Sequence, residues 1–210
     1  MKAHENPFRS ECIERLPYRF PGFSWRSLED RLDSFGGRGA IVGPRGHGKT
    51  TLLLEWMARR KARGEAPVGL RLDYGQRRLT AGQISLLNGA RMVFADSAEQ
   101  LGWLGWREFL YRARHVKTLV ICTHRPGRLP TIYHCRTSPE LLQELAGDLA
   151  GSQTPDPQSL WKRHSGNIRE ALRELYDDCS RRRLWLENPV ALALSPFSSN
   201  PGRTASYHSS

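Results

Sequence analysis

Residues 43–50 read Gly43–Pro44–Arg45–Gly46–His47–Gly48–Lys49–Thr50, which matches the pattern G-x-x-x-x-G-K-[ST] with no mismatch. The segment follows a short apolar run at 40–42 and precedes a stretch whose apolar residues are typical of a helix. This strand–loop–helix context favours a phosphate-binding loop over a glycine-rich turn with a chance Lys-Thr. In such a loop the glycines let successive backbone N–H groups face an anion, which also lies at the positive end of the helix.

The loop therefore predicts a site for ATP and Mg²⁺. Lys49 supplies charge for the β- and γ-phosphates, and the Thr50 hydroxyl is the natural Mg²⁺ ligand. A second metal anchor is expected at the carboxyl end of a buried strand, where Asp96 follows the apolar run 92–95. Asp73 is the alternative anchor, and Asp96 also fits a helix N-cap, a role that one residue can share with metal binding. The expected cofactor-binding set is Gly43, Pro44, Arg45, Gly46, His47, Gly48, Lys49, Thr50 and Thr51.

The rest of the chain predicts an α/β fold, a parallel sheet sandwiched by helices, with a small C-terminal helical lid. Apolar runs predict strands, and three- and four-residue spacing of apolar residues predicts the helices between them. The helix expected at 98–114 contains two glycines, Gly102 and Gly105, at either of which it is expected to break. Predicted strands lie at 40–42, 68–74, 92–95, 118–122 and 131–135, and predicted helices at 24–35, 51–63, 80–87, 98–114, 138–149, 158–164 and 166–179.

This pattern suggests four regions along the 210 residues. An N-terminal arm and helix cover 1–35, with residues 1–22 expected to be extended because they contain three prolines. The nucleotide-binding domain covers 36–150, the helical lid 151–188, and a tail rich in Ser, Pro, Asn and Gly covers 189–210 and is expected to be disordered.

The charge and the apolar content of the sequence indicate which binding partners the protein is expected to have. The net charge is +11 and the isoelectric point is near 10.1, with 27 arginines and 5 lysines, so polyanions are favoured: ATP, nucleic acid or an acidic protein. The charge is spread along the chain, and an arginine bias can also reflect codon composition. No apolar run approaches the ~20 residues of a membrane helix and no signal peptide is apparent, which predicts a cytoplasmic protein without membrane contact. The six tryptophans mostly fall on apolar helix faces, which favours core packing over base stacking.

One expected strand lies between the strand before the loop and the Asp96 strand, and this layout resembles the additional-strand P-loop ATPases. Over roughly residues 36–178 the chain looks most like a small AAA+ type ATPase. Residues 118–123 resemble the sensor-1 strand of that family, which implies that Thr123 or His124 lies near the γ-phosphate. Residues 165–172, Ser-Gly-Asn-Ile-Arg-Glu-Ala-Leu, resemble its sensor-2 helix, which implies that Arg169 approaches the nucleotide. The alternative is a capped surface helix whose arginines, at 169 and 173, pair with the glutamates at 170 and 174.

The chain departs from that family at two points. The family has a catalytic Glu directly after the Asp, where this chain has Ser97. Glu99 is the nearest carboxylate, and it either orients the attacking water or is a first-turn glutamate favoured by the helix dipole. The segment after residue 123 is too short for the helix that carries the family's arginine finger, and Arg125 and Arg128 are the arginines in that turn.

These residues predict an ATPase that is slow or stimulated by a partner. The candidate catalytic residues are Lys49, Glu99, Thr123, His124 and Arg169. The alternative is a non-hydrolysing, ATP-dependent switch or adaptor associated with nucleic acid, which the serine at position 97 supports. A small-molecule kinase needs a lid and an acceptor site, for which the loop 125–128 is short. GTP is not favoured, because the chain contains no Asn-Lys-x-Asp segment.

Overall fold

The computed structural model describes residues 6–13, 15–151 and 156–182. The predicted tail at 189–210 and the end of the predicted lid at 183–188 lie outside these residues. The strands are β1 Arg38–Val42, β2 Val68–Arg71, β3 Met92–Asp96, β4 Thr118–Thr123 and β5 Thr131–His134. The α-helices are α1 Ser10–Ile13, α2 Trp25–Ser34, α3 Lys49–Ala62, α4 Ala81–Leu87, α5 Trp103–Arg112, α6 Pro139–Ala150, α7 Pro157–Arg163 and α8 Ile168–Arg182.

The five strands form one sheet in the order β2-β3-β4-β1-β5, and every pair is parallel. The strand expected between β1 and β3 is β4, whose Thr123 lies opposite Val42. Since all strands run the same way, the carboxyl ends of β1, β4 and β3 meet at one edge of the sheet. The predicted α/β class with a parallel sheet is confirmed.

Helices cover both faces of the sheet because side chains alternate along each buried strand. One face, with Ile41, Phe94 and Val120, packs against α2 and α3. The opposite face, with Val93 and Ile121 among its buried residues, packs against α4 and α5. The sheet is thus enclosed between two helical layers, and its continuous apolar strands follow from burial on both sides.

The C-terminal helices α6, α7 and α8 have an apolar cluster of their own. Phe8 of the N-terminal arm is buried in this cluster, and the Asn6 side-chain amide donates a hydrogen bond to the Tyr176 carbonyl at 2.8 Å. Helix α6 therefore packs with α7 and α8, although the expected boundary at residue 150 assigned it to the nucleotide-binding domain. That domain division stays a prediction.

Two local expectations change in the structure. The expectation of an arm without helix was wrong, because α1 forms in the proline-free stretch between Pro7 and Pro17. The helix expected at 98–114 is broken at Gly102, with a short 3-10 helix before it and α5 after it. The break coincides with a tertiary contact, since the Gly102 N–H donates to the Arg77 carbonyl at 3.0 Å.

Candidate nucleotide site

The loop 43–50 connects β1 to α3 at the carboxyl edge of the sheet. Gly46 and Gly48 have φ angles of 77° and 79°, which residues with a Cβ adopt only at a cost of roughly 1–2 kcal/mol. Gly48 is the N-cap of α3 and has no side chain to cap it. The first backbone N–H groups of α3 therefore receive no side-chain acceptor from the N-cap, which leaves them available to an anion.

Lys49 is the first residue of α3 and is only 8% exposed. Its ammonium group donates to the Gly43 carbonyl at 2.7 Å and to the Pro44 carbonyl at 2.8 Å. An ammonium group has three N–H donors, so one remains for another acceptor. Burial lowers the pKa of Lys49, an effect that nearby acidic groups, Glu99 and Asp96 among them, partly oppose. A bound polyanion would favour its charged form further.

The predicted metal ligands Thr50 and Asp96 are in direct contact. The Thr50 hydroxyl donates to Asp96 Oδ2 at 2.9 Å, although the two residues are 46 positions apart in the chain. Asp96 ends β3, next to β4 in the sheet. Asp73, the alternative, is exposed in the loop that follows edge strand β2. The contact with Thr50 therefore favours Asp96 as the metal anchor.

Glu99 lies in the 3-10 helix directly after β3. Ser97 has a left-handed φ of 59°, and the turn that it makes returns Glu99 toward the end of β4. There Glu99 Oε1 lies 3.1 Å from His124 Nδ1, while Glu99 Oε2 is buried and has no hydrogen-bond partner in the described chain. The carboxylate thus has one oxygen held in place and one oxygen left to accept a hydrogen bond.

Thr123 and His124, the two sensor-1 candidates, have different surroundings. Thr123 is buried, and its hydroxyl donates to the Arg125 carbonyl at 2.8 Å, so that hydroxyl serves the local turn. His124 is exposed beside Glu99. Arg128 donates to the carbonyls of Leu101 and Glu99, so its guanidinium anchors the 3-10 segment. Of the two candidates, His124 is the one with a contact to an expected catalytic residue.

Arg169 is exposed on α8 and makes no hydrogen bond or ion pair with another described residue. The alternative, in which the arginines at 169 and 173 pair with the glutamates at 170 and 174, does not form either. Glu174 instead contacts Arg163 and His164, both of which precede α8. The sensor-2 role of Arg169 stays a prediction.

The residue of the sensor-2 segment that reaches the loop is Asn167, which sequence reasoning missed. A Cβ built on Gly46 would lie 1.7 Å from Asn167 Oδ1. The same oxygen accepts the Glu170 N–H at 3.2 Å and so caps the start of α8. The sequence carried a signal, since Asn before an apolar helical run is a common N-cap, but it did not place that cap against residue 46.

Tyr18 of the N-terminal arm also contacts the loop. Its ring lies against the loop, 3.0 Å from where a Cβ on Gly48 would be, and its hydroxyl donates to Cys135 Sγ at 3.5 Å. Burial raises the pKa of Tyr18, which keeps the hydroxyl protonated. The arm therefore bounds the loop on one side and the C-terminal bundle, through Asn167, bounds it on another.

The remaining expected binding residues are less buried than Lys49. Arg45 and Thr51 are exposed, and His47 Nδ1 lies 3.1 Å from the Arg45 carbonyl. Within the described ranges no cluster of three or more His, Cys, Asp or Glu side chains is placed to hold a metal ion. Mg²⁺ bound together with nucleotide phosphates needs only one or two protein ligands, a number that Thr50 and Asp96 provide.

No family model and no curated protein matches the chain. Among solved structures, a chain in the structure of Drosophila ORC bound to DNA matches with a TM-score of 0.47 and 18% sequence identity. The match covers 84% of this chain and 60% of that chain, so this protein spans less than two thirds of the matched chain. A similarity this low assigns neither a family nor an activity. None of the described helices has the length and apolar character needed to cross a membrane.

Proposed function

We propose that the chain binds ATP with Mg²⁺ on the loop 43–50 and hydrolyses it slowly or when a partner stimulates it. The observation that carries the proposal is the 2.9 Å contact between Thr50 and Asp96, beside a buried lysine at the first position of the same helix. A glycine-rich turn with a chance Lys-Thr has no reason to meet an aspartate at the end of another strand.

The donor atoms present fit Mg²⁺ and a triphosphate. Thr50 Oγ1 and Asp96 Oδ2 are oxygen ligands of the kind that a hard cation selects. When bound, Mg²⁺ offsets charge on the β- and γ-phosphates. The N–H groups of the loop and the third N–H of Lys49 would face the same phosphates.

The chain's own residues support hydrolysis through positioning. The unpartnered Glu99 Oε2 is the acceptor suited to a water molecule, and His124 holds the other carboxylate oxygen. Slow turnover is expected because no carboxylate directly follows Asp96, and Glu99 instead lies in a short 3-10 turn that begins after the left-handed Ser97. Arg169 remains the proposed residue that approaches the nucleotide from the bundle, and Thr123 or His124 the proposed sensor of the γ-phosphate.

The second candidate function is an ATP-dependent switch or adaptor that does not hydrolyse ATP and binds nucleic acid or an acidic protein. The observation that favours it is Ser97 itself, because no carboxylate directly follows Asp96. Phosphoryl transfer to a small molecule is less well supported, since the turn after β4 spans only residues 124–130 before β5.

The test is phosphate release from Mg·ATP, measured beside binding of a fluorescent ATP analogue. Lys49→Ala should weaken binding about 10- to 100-fold, through loss of a charge-assisted hydrogen bond. Glu99→Gln should lower turnover about 100-fold or more with little change in binding. Glu108→Gln, at an ion-paired glutamate on α5, is the matched control and should leave both unchanged.

The outcomes separate the candidates. Turnover that Lys49→Ala and Glu99→Gln abolish supports the ATPase. Binding that depends on Lys49 without phosphate release, alone or with nucleic acid added, supports the switch. Binding that Lys49→Ala leaves unchanged contradicts both.

A further inference from the structure

Helix α5 exposes large apolar side chains on its outer face. Trp103 is 68% exposed, Leu104 56% and Tyr111 67%. On the inner face Phe109 is buried in the core, and Gly105 is buried against the backbone of Arg77 and Arg78. The sequence-based expectation that tryptophans pack in the core therefore does not hold for Trp103. Because positions four apart share one side of a helix, residues 103, 107 and 111 form a stripe on the surface.

Arginines alternate with the rings along this stripe. The Arg107 guanidinium lies 5.1 Å from the centroid of the Trp103 ring, and the Arg114 guanidinium lies 4.3 Å from that of Tyr111. Stacking of this kind places a planar cation over one face of each ring. Each aromatic residue is still about two thirds exposed, at 68% for Trp103 and 67% for Tyr111. A ring and a cation thus occur together twice, once within α5 and once at its C-terminal end, where Arg114 lies in the 3-10 turn Ala113–His115.

The charge around the stripe is positive and largely unopposed. Between residues 101 and 117 the one acidic residue is Glu108, which already pairs with Arg112 at 3.0 Å. Arg77 and Arg78 are exposed next to the start of α5, where the Arg77 carbonyl accepts the Gly102 N–H. Across the described ranges, Arg77, Arg78 and Arg107 make no ion pair.

Exposed aromatic rings beside unpaired arginines suit one ligand chemistry in particular. Single-stranded nucleic acid offers flat bases for the rings and phosphates for the arginines. A folded acidic protein would also be complementary to the arginines, but the alternation of ring and cation along this surface matches the alternation of base and phosphate in a single strand. The net charge of +11 favours approach of either polyanion and so does not decide between them.

We propose that the α5 surface, defined as Arg77, Arg78, Trp103, Arg107, Tyr111 and Arg114, binds single-stranded nucleic acid. Trp103 and Tyr111 stack on bases, and the arginines contact the phosphate backbone. The proposal goes beyond nucleotide binding on the loop 43–50 and does not depend on it.

The experiment is fluorescence anisotropy with labelled 20-nucleotide single strands of DNA and RNA and with a DNA duplex of equal length, from about 50 to 200 mM salt. Trp103→Ala/Tyr111→Ala should weaken single-strand binding at least about fivefold at every salt concentration. Arg107→Ala/Arg114→Ala should weaken it and reduce the slope of log K against log salt by about 1.4. Arg26→Ala/Arg173→Ala removes the same charge at exposed arginines elsewhere and should change binding less than about twofold.

Three results would overturn the proposal. Equal losses in the Arg26/Arg173 and Arg107/Arg114 variants would mean that only net charge attracts the strand. Binding of the duplex that is tighter than that of the single strand, and that the Trp103→Ala/Tyr111→Ala variant leaves unchanged, would exclude stacking on bases. Absence of oligonucleotide binding, with polyglutamate binding lost in the Arg107/Arg114 variant, would assign the surface to an acidic protein. Lys49→Ala should retain binding of the single strand. A failure of the ATP-binding proposal is therefore distinguishable from a failure of this one.

Discussion

Substituting Gly46 by alanine tests whether the C-terminal bundle rests on the loop. The new Cβ would lie 1.7 Å from Asn167 Oδ1 and 2.4 Å from Asn167 Cγ, at a residue whose φ is 77°. The side-chain amide of Asn167 must therefore turn away. In doing so it gives up the hydrogen bond that it accepts from the Glu170 N–H at the start of α8.

Two contributions set the size of the effect. A left-handed φ costs a residue with a Cβ roughly 1–2 kcal/mol, and loss of an asparagine N-cap costs about 1 kcal/mol. We expect Gly46→Ala to lower the free energy of unfolding by about 2–3 kcal/mol. Gly89→Ala is the matched control, since Gly89 has φ 78° and nothing within 4 Å of the added Cβ. It should show the backbone cost alone, about 1–2 kcal/mol.

Urea unfolding, followed by circular dichroism, measures these differences in a double-mutant cycle with Asn167→Ala. Asn167→Ala alone should cost about 1 kcal/mol, and it should remove the excess cost of Gly46→Ala, so that the pair costs about 1 kcal/mol less than the sum of the single variants. Equal costs for Gly46→Ala and Gly89→Ala, with additive effects of Asn167→Ala, would refute the contact between bundle and loop.

Three further predictions concern stability. Gly105→Ala should destabilise the fold by about 1–3 kcal/mol, because the new Cβ would lie 2.1 Å from the Arg77 carbonyl oxygen. Gly147→Ala, inside α6 with nothing within 4 Å of the new Cβ, should stabilise the fold by up to about 1 kcal/mol. Equal shifts of the melting temperature in the two variants would contradict this difference. Burial raises the pKa of the Cys135 thiol from 9.0 to about 11, so its protonated form stabilises the fold below pH 9 and this contribution is lost as the pH rises toward 11. Between pH 8 and 10 the free energy of unfolding, measured in urea, should therefore fall by about 1 kcal/mol more in the wild type than in Cys135→Ala. Parallel pH profiles of the two proteins would exclude this contribution of the thiol. Ser97→Gly should be about 1 kcal/mol more stable than Ser97→Ala, because the φ angle of Ser97 is 59° and glycine adopts it without strain. Equal stabilities by calorimetry would mean that the turn is unstrained.

The sequence was sufficient for the fold because each of its signals is local. Apolar runs bounded by Gly and Pro located all five strands, and helix periodicity located the helices around them. Thr80 and Ser138 begin α4 and α6 as N-caps, each accepting a backbone N–H from the first turn. One strand was also expected between the strand before the loop and the Asp96 strand, and in the sheet β4 lies between β1 and β3.

What the sequence could not supply is the pairing of distant residues. Nothing in the vicinity of Asn167 indicates that its amide meets Gly46, and nothing near Tyr18 indicates that its ring meets Gly48. Such contacts depend on how the arm and the bundle pack against the sheet, and local propensity does not determine that packing. The same holds for Trp103, whose helix position alone does not distinguish a buried face from an exposed one.

The arm and the bundle are also linked to each other, and this affects how the loop can respond to a ligand. Asn6 and Phe8 are held by the bundle, whereas Tyr18 is held by α3, where its N–H donates to Glu55 Oε2 at 2.6 Å. A displacement of the bundle that carries Asn167 away from the loop must therefore either stretch residues 9–17 or release one of these anchors. The loop therefore contacts the bundle at Gly46 and the arm at Gly48, and these two segments are themselves joined through Asn6 and Phe8.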